Sequence, residues 1–266
     1  MLNLMFFVSK MSFSLLRLGN VAAFLITLVI NGLAGTAILN NRTTVQVSDL
    51  YSNPFTPAGY VFAIWGIIYA LLAVFIIFQA LPIQKEGLFQ KQIGVLFILS
   101  CVFNCVWLFL WQYDYITFSV VAMFGLFLSL LAIYWRLAIG KSNASRTEKI
   151  CVHLPFSVYI GWITVASIAN VAAALVSVGW DGFGLGVEAW AIIAIGVALI
   201  STLIVIIARR DYAFSLVVIW ALVGIAVRQI SNPTIVLIAE EAVALILVVA
   251  GLSLVASILK RRAIRS

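Results

Sequence analysis

Cys101 and Cys105 stand one helical turn apart, Cys151 lies well downstream, and the chain carries a single histidine, His153. Thiolate and imidazole are the ligands of structural zinc, but such a site takes four of them in a compact set. A catalytic thiol needs a base within hydrogen-bond reach. His153 is expected far from the cysteine pair, so the three cysteines read as buried, reduced thiols. Aspartates and glutamates fall near the ends of apolar runs and are not paired deep within them, which leaves no acid–base pair. No enzyme activity, metal or cofactor is expected from these residues.

Tryptophan, tyrosine and asparagine are arranged to do something else. Trp65 and Tyr69 are spaced i and i+4, following Tyr60 and Phe62; Asn104, Trp107 and Trp111 fall at i, i+3 and i+7; Tyr159, Trp162, Ala166 and Asn170 follow at steps of three and four. Each set forms one stripe on one helix face. Aromatic faces stack on flat apolar molecules, and an amide adds orienting hydrogen bonds. The same residues also serve as glue between helices and as interfacial anchors, and periodicity leaves both readings open.

The elements that position these stripes must be membrane helices. The chain is 65% hydrophobic and 9% charged over 266 residues, against about 25% charged in a soluble domain. A soluble fold has too little polar skin to cover that much apolar surface. Eight apolar stretches, each near the roughly 20 residues a span requires, lie near 18–40, 58–81, 93–112, 116–138, 152–176, 187–208, 212–230 and 235–258. Turn residues punctuate them at Asn53-Pro54, at 112–115, at 179–186 and at Ser231-Asn232-Pro233. The expectation is an all-α integral membrane protein of about eight transmembrane helices.

Cations orient it. With both termini cytoplasmic, Lys10, Arg17, Lys85, Lys91, Arg136, Lys141, Arg146, Lys149, Arg209, Arg210, Lys260, Arg261, Arg262 and Arg265 fall on the cytoplasmic side, and only Arg42 and Arg228 fall outside. Positive residues resist translocation, so this bias fixes topology. The formal charge of +7 then reflects topology and affinity for anionic lipid heads; nucleic acid would need a basic soluble face, which is absent. The first span follows Lys10 and Arg17 and ends in small residues, as a signal peptide does, but its apolar run is longer and it is read as retained. A bacterial plasma membrane fits, since the first residues lack the pattern of an organellar presequence.

Three motifs carry a family resemblance. Asn53-Pro54-Phe55-Thr56-Pro57-Ala58-Gly59-Tyr60-Val61-Phe62, followed by Trp65 and Tyr69, resembles the signature entering the second helix of the TspO/MBR family, the tryptophan-rich sensory and translocator proteins. Phe103-Asn104-Cys105-Val106-Trp107 is similar to its third-helix motif, and Tyr159, Trp162, Ala166 and Asn170 to its fifth. Ala58 stands where the family has a second proline, Tyr60 where it has tryptophan, and Val158 where it has proline, Pro155 lying one turn earlier. The resemblance covers residues 18–176 and implies a TspO-like five-helix bundle there, after a cytoplasmic segment 1–17. Residues 177–266 would add three helices and a basic tail. It further implies a sensor or translocator that binds a flat hydrophobic ligand of the porphyrin or haem class, beneath a lid formed by 41–57. Pro57, Tyr60, Phe62, Trp65, Tyr69, Asn104, Trp107, Trp111, Tyr159, Trp162, Ala166 and Asn170 are the implied ligand-binding residues.

Beyond the resemblance, Arg228 is expected near Glu240 and Glu241 across the Asn232-Pro233 turn, as an ion pair that ties a hairpin or lines a polar route. That pair supports a second reading, a secondary transporter or permease component, although no inverted repeat links the two halves. Membrane lipids are the expected partners. Gly32 and Gly35 suit helix packing or a homodimer and do not choose between them.

Overall fold

The computed structural model describes residues 13–84 and 87–263. Lys10, Lys85 and Arg265, used above to orient the chain, lie outside the described residues, as do the side chains of Arg261 and Arg262. The fold is all-α. The principal helices are α1 (Phe13–Gly35), α2 (Thr44–Leu50), α3 (Ile64–Ala80, entered through a 3₁₀ turn Gly59–Ala63), α4 (Leu88–Ile93), α5 (Leu96–Gln112), α6 (Ile116–Arg136), α7 (Leu154–Ser177), α8 (Val187–Arg209), α9 (Tyr212–Arg228) and α10 (Pro233–Ala263).

Among the described residues, six helical stretches are long and apolar enough to cross a membrane: Leu15–Gly35, Gly59–Ala80, Ile116–Arg136, Arg146–Ser177, Val187–Arg209 and Pro233–Lys260. The chain is therefore a multi-pass membrane protein. The expected third and seventh spans are shorter than the sequence suggested, Leu96–Gln112 and Tyr212–Arg228, at 17 residues each. At a rise of about 1.5 Å per residue they reach about 26 Å, near the lower limit for a span. The cause in α5 is local. Gly94, at φ +51°, ends α4 and prevents the helix from starting at Ile93. Helix α9 starts at Tyr212 as expected, where the Asp211 carboxylate accepts the Phe214 amide at 3.2 Å and caps the first turn, and it stops at Arg228, short of the expected Ile230.

Helices α1, α3, α7, α6 and α5 pack as a closed ring, each touching the next. Helix α9 leans on α7 and on the 3₁₀ turn before α3, while α8 and α10 pack on α9 and on each other. Close approach needs small residues at these seams. A Cβ on Gly224 would collide with the Val61 side chain, and the Gly224 carbonyl accepts the Ala58 amide at 3.0 Å. Gly140, at φ +81°, lies against the Arg209 carbonyl, where a side chain has no room.

Asp211 binds the three C-terminal helices to the ring. It is 7% exposed, and besides capping α9 it accepts the Tyr134 hydroxyl at 2.9 Å and the Ser157 hydroxyl at 2.5 Å. One carboxylate thus joins α6, α7 and α9, with Arg209 over the Tyr134 ring. A buried carboxylate is tolerated only with several donors. Gly224→Ala should lower the Tm of the detergent-solubilised protein, with an overpacking cost of about 1–3 kcal/mol. An equally stable variant would show that α9 does not press on the turn before α3.

Candidate functional site

The three aromatic stripes meet inside the five-helix ring. Trp65 of α3 stacks on Trp107 of α5 with ring centroids 5.8 Å apart, and Trp107 stacks on Trp111 at the same separation. Trp65 also stacks on Tyr69 at 5.7 Å and meets Tyr159 and Trp162 of α7 edge-on at 6.2 and 6.1 Å. Phe62 closes on Trp162 at 5.9 Å. Such pairs contribute about 0.5–1.5 kcal/mol each beyond their burial.

Both asparagines are engaged within the protein. Asn104 Nδ2 donates to the Tyr159 hydroxyl at 3.3 Å, and Asn104 Oδ1 accepts from Asn31 Nδ2 at 2.8 Å. Asn170 Oδ1 accepts from Trp107 Nε1 at 2.9 Å, and Asn170 Nδ2 donates to Ser119 Oγ at 2.8 Å. These bonds run α1–α5–α7 and α5–α7–α6. In hydrocarbon an amide has no water to turn to, so its partners must come from neighbouring helices. Asn31 and Ser119 went unnoticed in the sequence because single polar residues in apolar runs carry no periodic signal.

A small cavity of about 40 Å³ sits within the cluster. Of the expected ligand-binding residues, Pro57, Phe62, Trp65, Trp107, Trp111, Trp162, Ala166 and Asn170 line it. Tyr69, Asn104 and Tyr159 stand outside its wall. Tyr60 does not join the site: it is 44% exposed and packs edge-on against Trp220 of α9 at 5.2 Å. Its position in the 3₁₀ turn before α3 faces it toward the C-terminal helices. The wall also includes Ser48, Tyr51, Asn53 and Thr56, with Val165, Ala169 and Ala173. The indole Nε1–H of Trp162 is buried and has no hydrogen-bond partner among the described residues.

Residues 36–58 close the cavity from one end of the bundle. Inside this lid, Thr43 and Gln46 form a reciprocal capping box that starts α2, a pattern legible in the sequence as Thr-x-x-Gln. Asn53 Oδ1 accepts the Phe55 amide at 3.0 Å, and Thr56 Oγ1 accepts the Asn53 amide at 2.9 Å, which fold the return turn around Pro54. The lid is fastened on one side to α5: Trp111 Nε1 donates to the Thr44 carbonyl at 3.2 Å and Asn40 Nδ2 to the Gln112 carbonyl at 2.7 Å. Arg42 pairs with Asp114 at 2.5 Å, and the Tyr51 hydroxyl donates to Asp114 at 3.2 Å. Partial burial and then the Asp114 carboxylate push the Tyr51 phenol above its ordinary 10.0, with Arg42 opposing.

The other fastening corrects a sequence expectation. Arg228 pairs with Asp49 of α2 at 2.8 Å and reaches Ser52 Oγ at 3.4 Å. It does not pair with Glu240 or Glu241, which lie exposed on α10. Helix α9 ends at Arg228, so the guanidinium leaves the hairpin turn and lies over the lid. Gln229 Nε2 adds a bond to the Asn53 carbonyl at 3.4 Å. The C-terminal helices therefore hold the lid down.

A family model described as TSPO-like protein matches residues 16–253. The match continues past residue 176 through α8, α9 and most of α10, so these helices fall inside the matched region and not beyond it. No curated protein and no solved structure matches the chain.

Asn104→Ala would leave the Tyr159 hydroxyl without its partner and remove one of the two bonds of Asn31 Nδ2, which keeps the Thr27 carbonyl at 2.9 Å, at a cost of about 1 kcal/mol. A lower Tm is the expected reading, while an unchanged Tm would remove Asn104 from the helix-joining network. Arg228→Ala should raise amide hydrogen exchange across 44–50 and leave exchange in α6 unchanged. Exposed ion pairs are screened by salt, so the same increase should appear in the wild type as ionic strength rises. Exchange in 44–50 that ignores both changes would mean the Asp49 contact does not restrain the lid.

Proposed function

Because this chain belongs to the TSPO-like protein family, we propose that it is a ligand-binding membrane sensor or translocator whose aromatic cluster receives a flat hydrophobic molecule of the porphyrin or haem class. The observation that carries the reading is Trp162. Its side chain is 3% exposed, its ring lines the cavity, and its Nε1–H lacks a partner. A buried donor left unpaired is costly, and a ligand carrying an acceptor at that point removes the cost. The stacked faces of Trp65, Trp107 and Trp111 supply the apolar surface on which a macrocycle lies.

The cavity, at about 40 Å³, is far below the roughly 300–1,000 Å³ of a site for a drug-sized ligand. Entry therefore requires the lid to lift and the rings to part, a step opposed by the Asp114 and Asp49 latches. The cluster offers stacking and hydrogen bonding, which supports binding without catalysis. Alternating helix ends place Arg42 and Arg228 at the lid end and Arg17, Arg136, Arg209 and Arg210 at the other. That split supports the eight-span topology with both termini cytoplasmic that we propose, with the short α5 and α9 counted as spans and a bacterial plasma membrane as its setting. A secondary transporter would draw support from an intramembrane ion pair, but Arg228 closes onto the lid.

Titration of the purified protein with protoporphyrin IX, followed by calorimetry and tryptophan quenching, tests the reading. Saturable 1:1 binding is expected, weakened about tenfold, or about 1.4 kcal/mol, by Trp162→Phe, which keeps an aromatic ring, though a smaller one, and removes the donor. Trp65→Ala should weaken it at least as much. Binding that is unsaturable, or indifferent to both substitutions, would leave the family membership as a statement of fold alone.

A further inference from the structure

A second, larger cavity of about 460 Å³ lies outside the five-helix ring, in the wedge between α7 and α8 with one wall from α6. It exists because α8 packs on α9 and α10 and only grazes α7. The facing side chains are too small to bridge the gap: Ala172 and Ser167 on α7, Ala191 and Ala194 on α8. Along α8 the lining runs from Val187 to Ser201, about 20 Å at the helical rise, somewhat more than one leaflet of a hydrocarbon core of roughly 30 Å. The wedge opens sideways between α6 and α8, where Phe124, Ile193 and Val197 are exposed to the bilayer.

An apolar void of this size in contact with lipid does not stay empty, since unfilled walls forfeit their dispersion contacts. A volume of about 460 Å³ with lining along about 20 Å of α8 suits an extended chain. The hydroxyls of Thr164, Ser167 and Ser201 along it are bonded back to their own helices, which leaves the walls effectively apolar. Polar chemistry gathers at the lid end. There Trp180 and Trp190 pack at 4.8 Å, as tryptophans do at the headgroup level. Trp190 Nε1 donates to the Gly182 carbonyl at 2.9 Å and fixes the mouth.

The charge at that mouth is negative. Asp181 lines the cavity, and Glu188 lies in the first turn of α8. The two arginines at the lid end are already paired, Arg42 with Asp114 and Arg228 with Asp49. We propose that this wedge is a lipid-binding site that takes one acyl chain of an ammonium-headed phospholipid from the lid-side leaflet, with the ammonium group beside the Asp181 carboxylate. The lid's return turn at Asn53, Pro54 and Phe55 also lines the wedge, and Asn53 is the one residue that it shares with the aromatic cavity.

Native mass spectrometry of the delipidated full-length protein, offered equal amounts of phosphatidylethanolamine and phosphatidylglycerol with matched chains, tests the assignment. One phosphatidylethanolamine per chain should be retained, in about tenfold preference over phosphatidylglycerol. Asp181→Asn should abolish the preference, and Ala194→Trp should abolish retention by filling the wedge. Ala172→Trp fills it from the opposite wall and serves if the first variant unfolds, with Tm checked for both. The affinity for protoporphyrin IX, read by calorimetry, should be unchanged in the wedge variants. Equal retention of both lipids would overturn the headgroup assignment, as would binding of a free long-chain alkylamine without phosphatidylethanolamine. Retention that survives a folded tryptophan variant would overturn the site, with the aromatic-cluster reading untouched.

Discussion

Amides inside hydrocarbon have no water to fall back on, and this fold is organised by where two of them find partners. Asn104 joins α1, α5 and α7, and Asn170 joins α5, α6 and α7. Apolar packing alone would let these helices slide, because lipid tails are as apolar as leucine and give no preference for one register. The asparagines remove that freedom. With the register set, Trp65, Trp107 and Trp162 converge, and the cavity forms between them.

A second constraint acts at the lid. Its backbone leaves α1 at Gly35, makes one short helix and returns through Asn53-Pro54, so it has little hydrophobic attachment beyond Val47 and Phe55, both buried. It is held instead by polar contacts at its edges, to α5 and Asp114 on one side and to α9 on the other. Contacts of that kind open at lower cost than a packed core. Their arrangement makes the C-terminal helices part of the closure: Asp211 anchors them to the ring, Gly224 lets α9 approach the turn before α3, and Arg228 reaches the lid.

The membrane class, the helix order and the stripe on each of three helices were legible in the sequence, because apolar length and a period of 3.6 are properties of single segments. What failed to show involves pairs of segments distant in the chain. Proximity along the chain points Arg228 to Glu240 and Glu241, whereas its partner Asp49 lies 179 positions upstream and is reached only through the docking of α9. Tyr60 carried the spacing of its stripe, but the 3₁₀ turn rotates it out of the bundle toward Trp220. The wedge between α7 and α8 has no motif at all, since it arises from a mismatch in how two helices pack.

The measurement that bears most directly on the account is the distance between spin labels at Leu50→Cys on the lid and Val178→Cys at the end of α7, with Cys101, Cys105 and Cys151 replaced by alanine. Without ligand, one narrow distribution is expected. At saturating protoporphyrin IX a second, longer distance should appear, as the lid lifts from an aromatic cluster too closed to admit a macrocycle. A distribution unchanged at full occupancy would place the ligand elsewhere and contradict the lidded aromatic site.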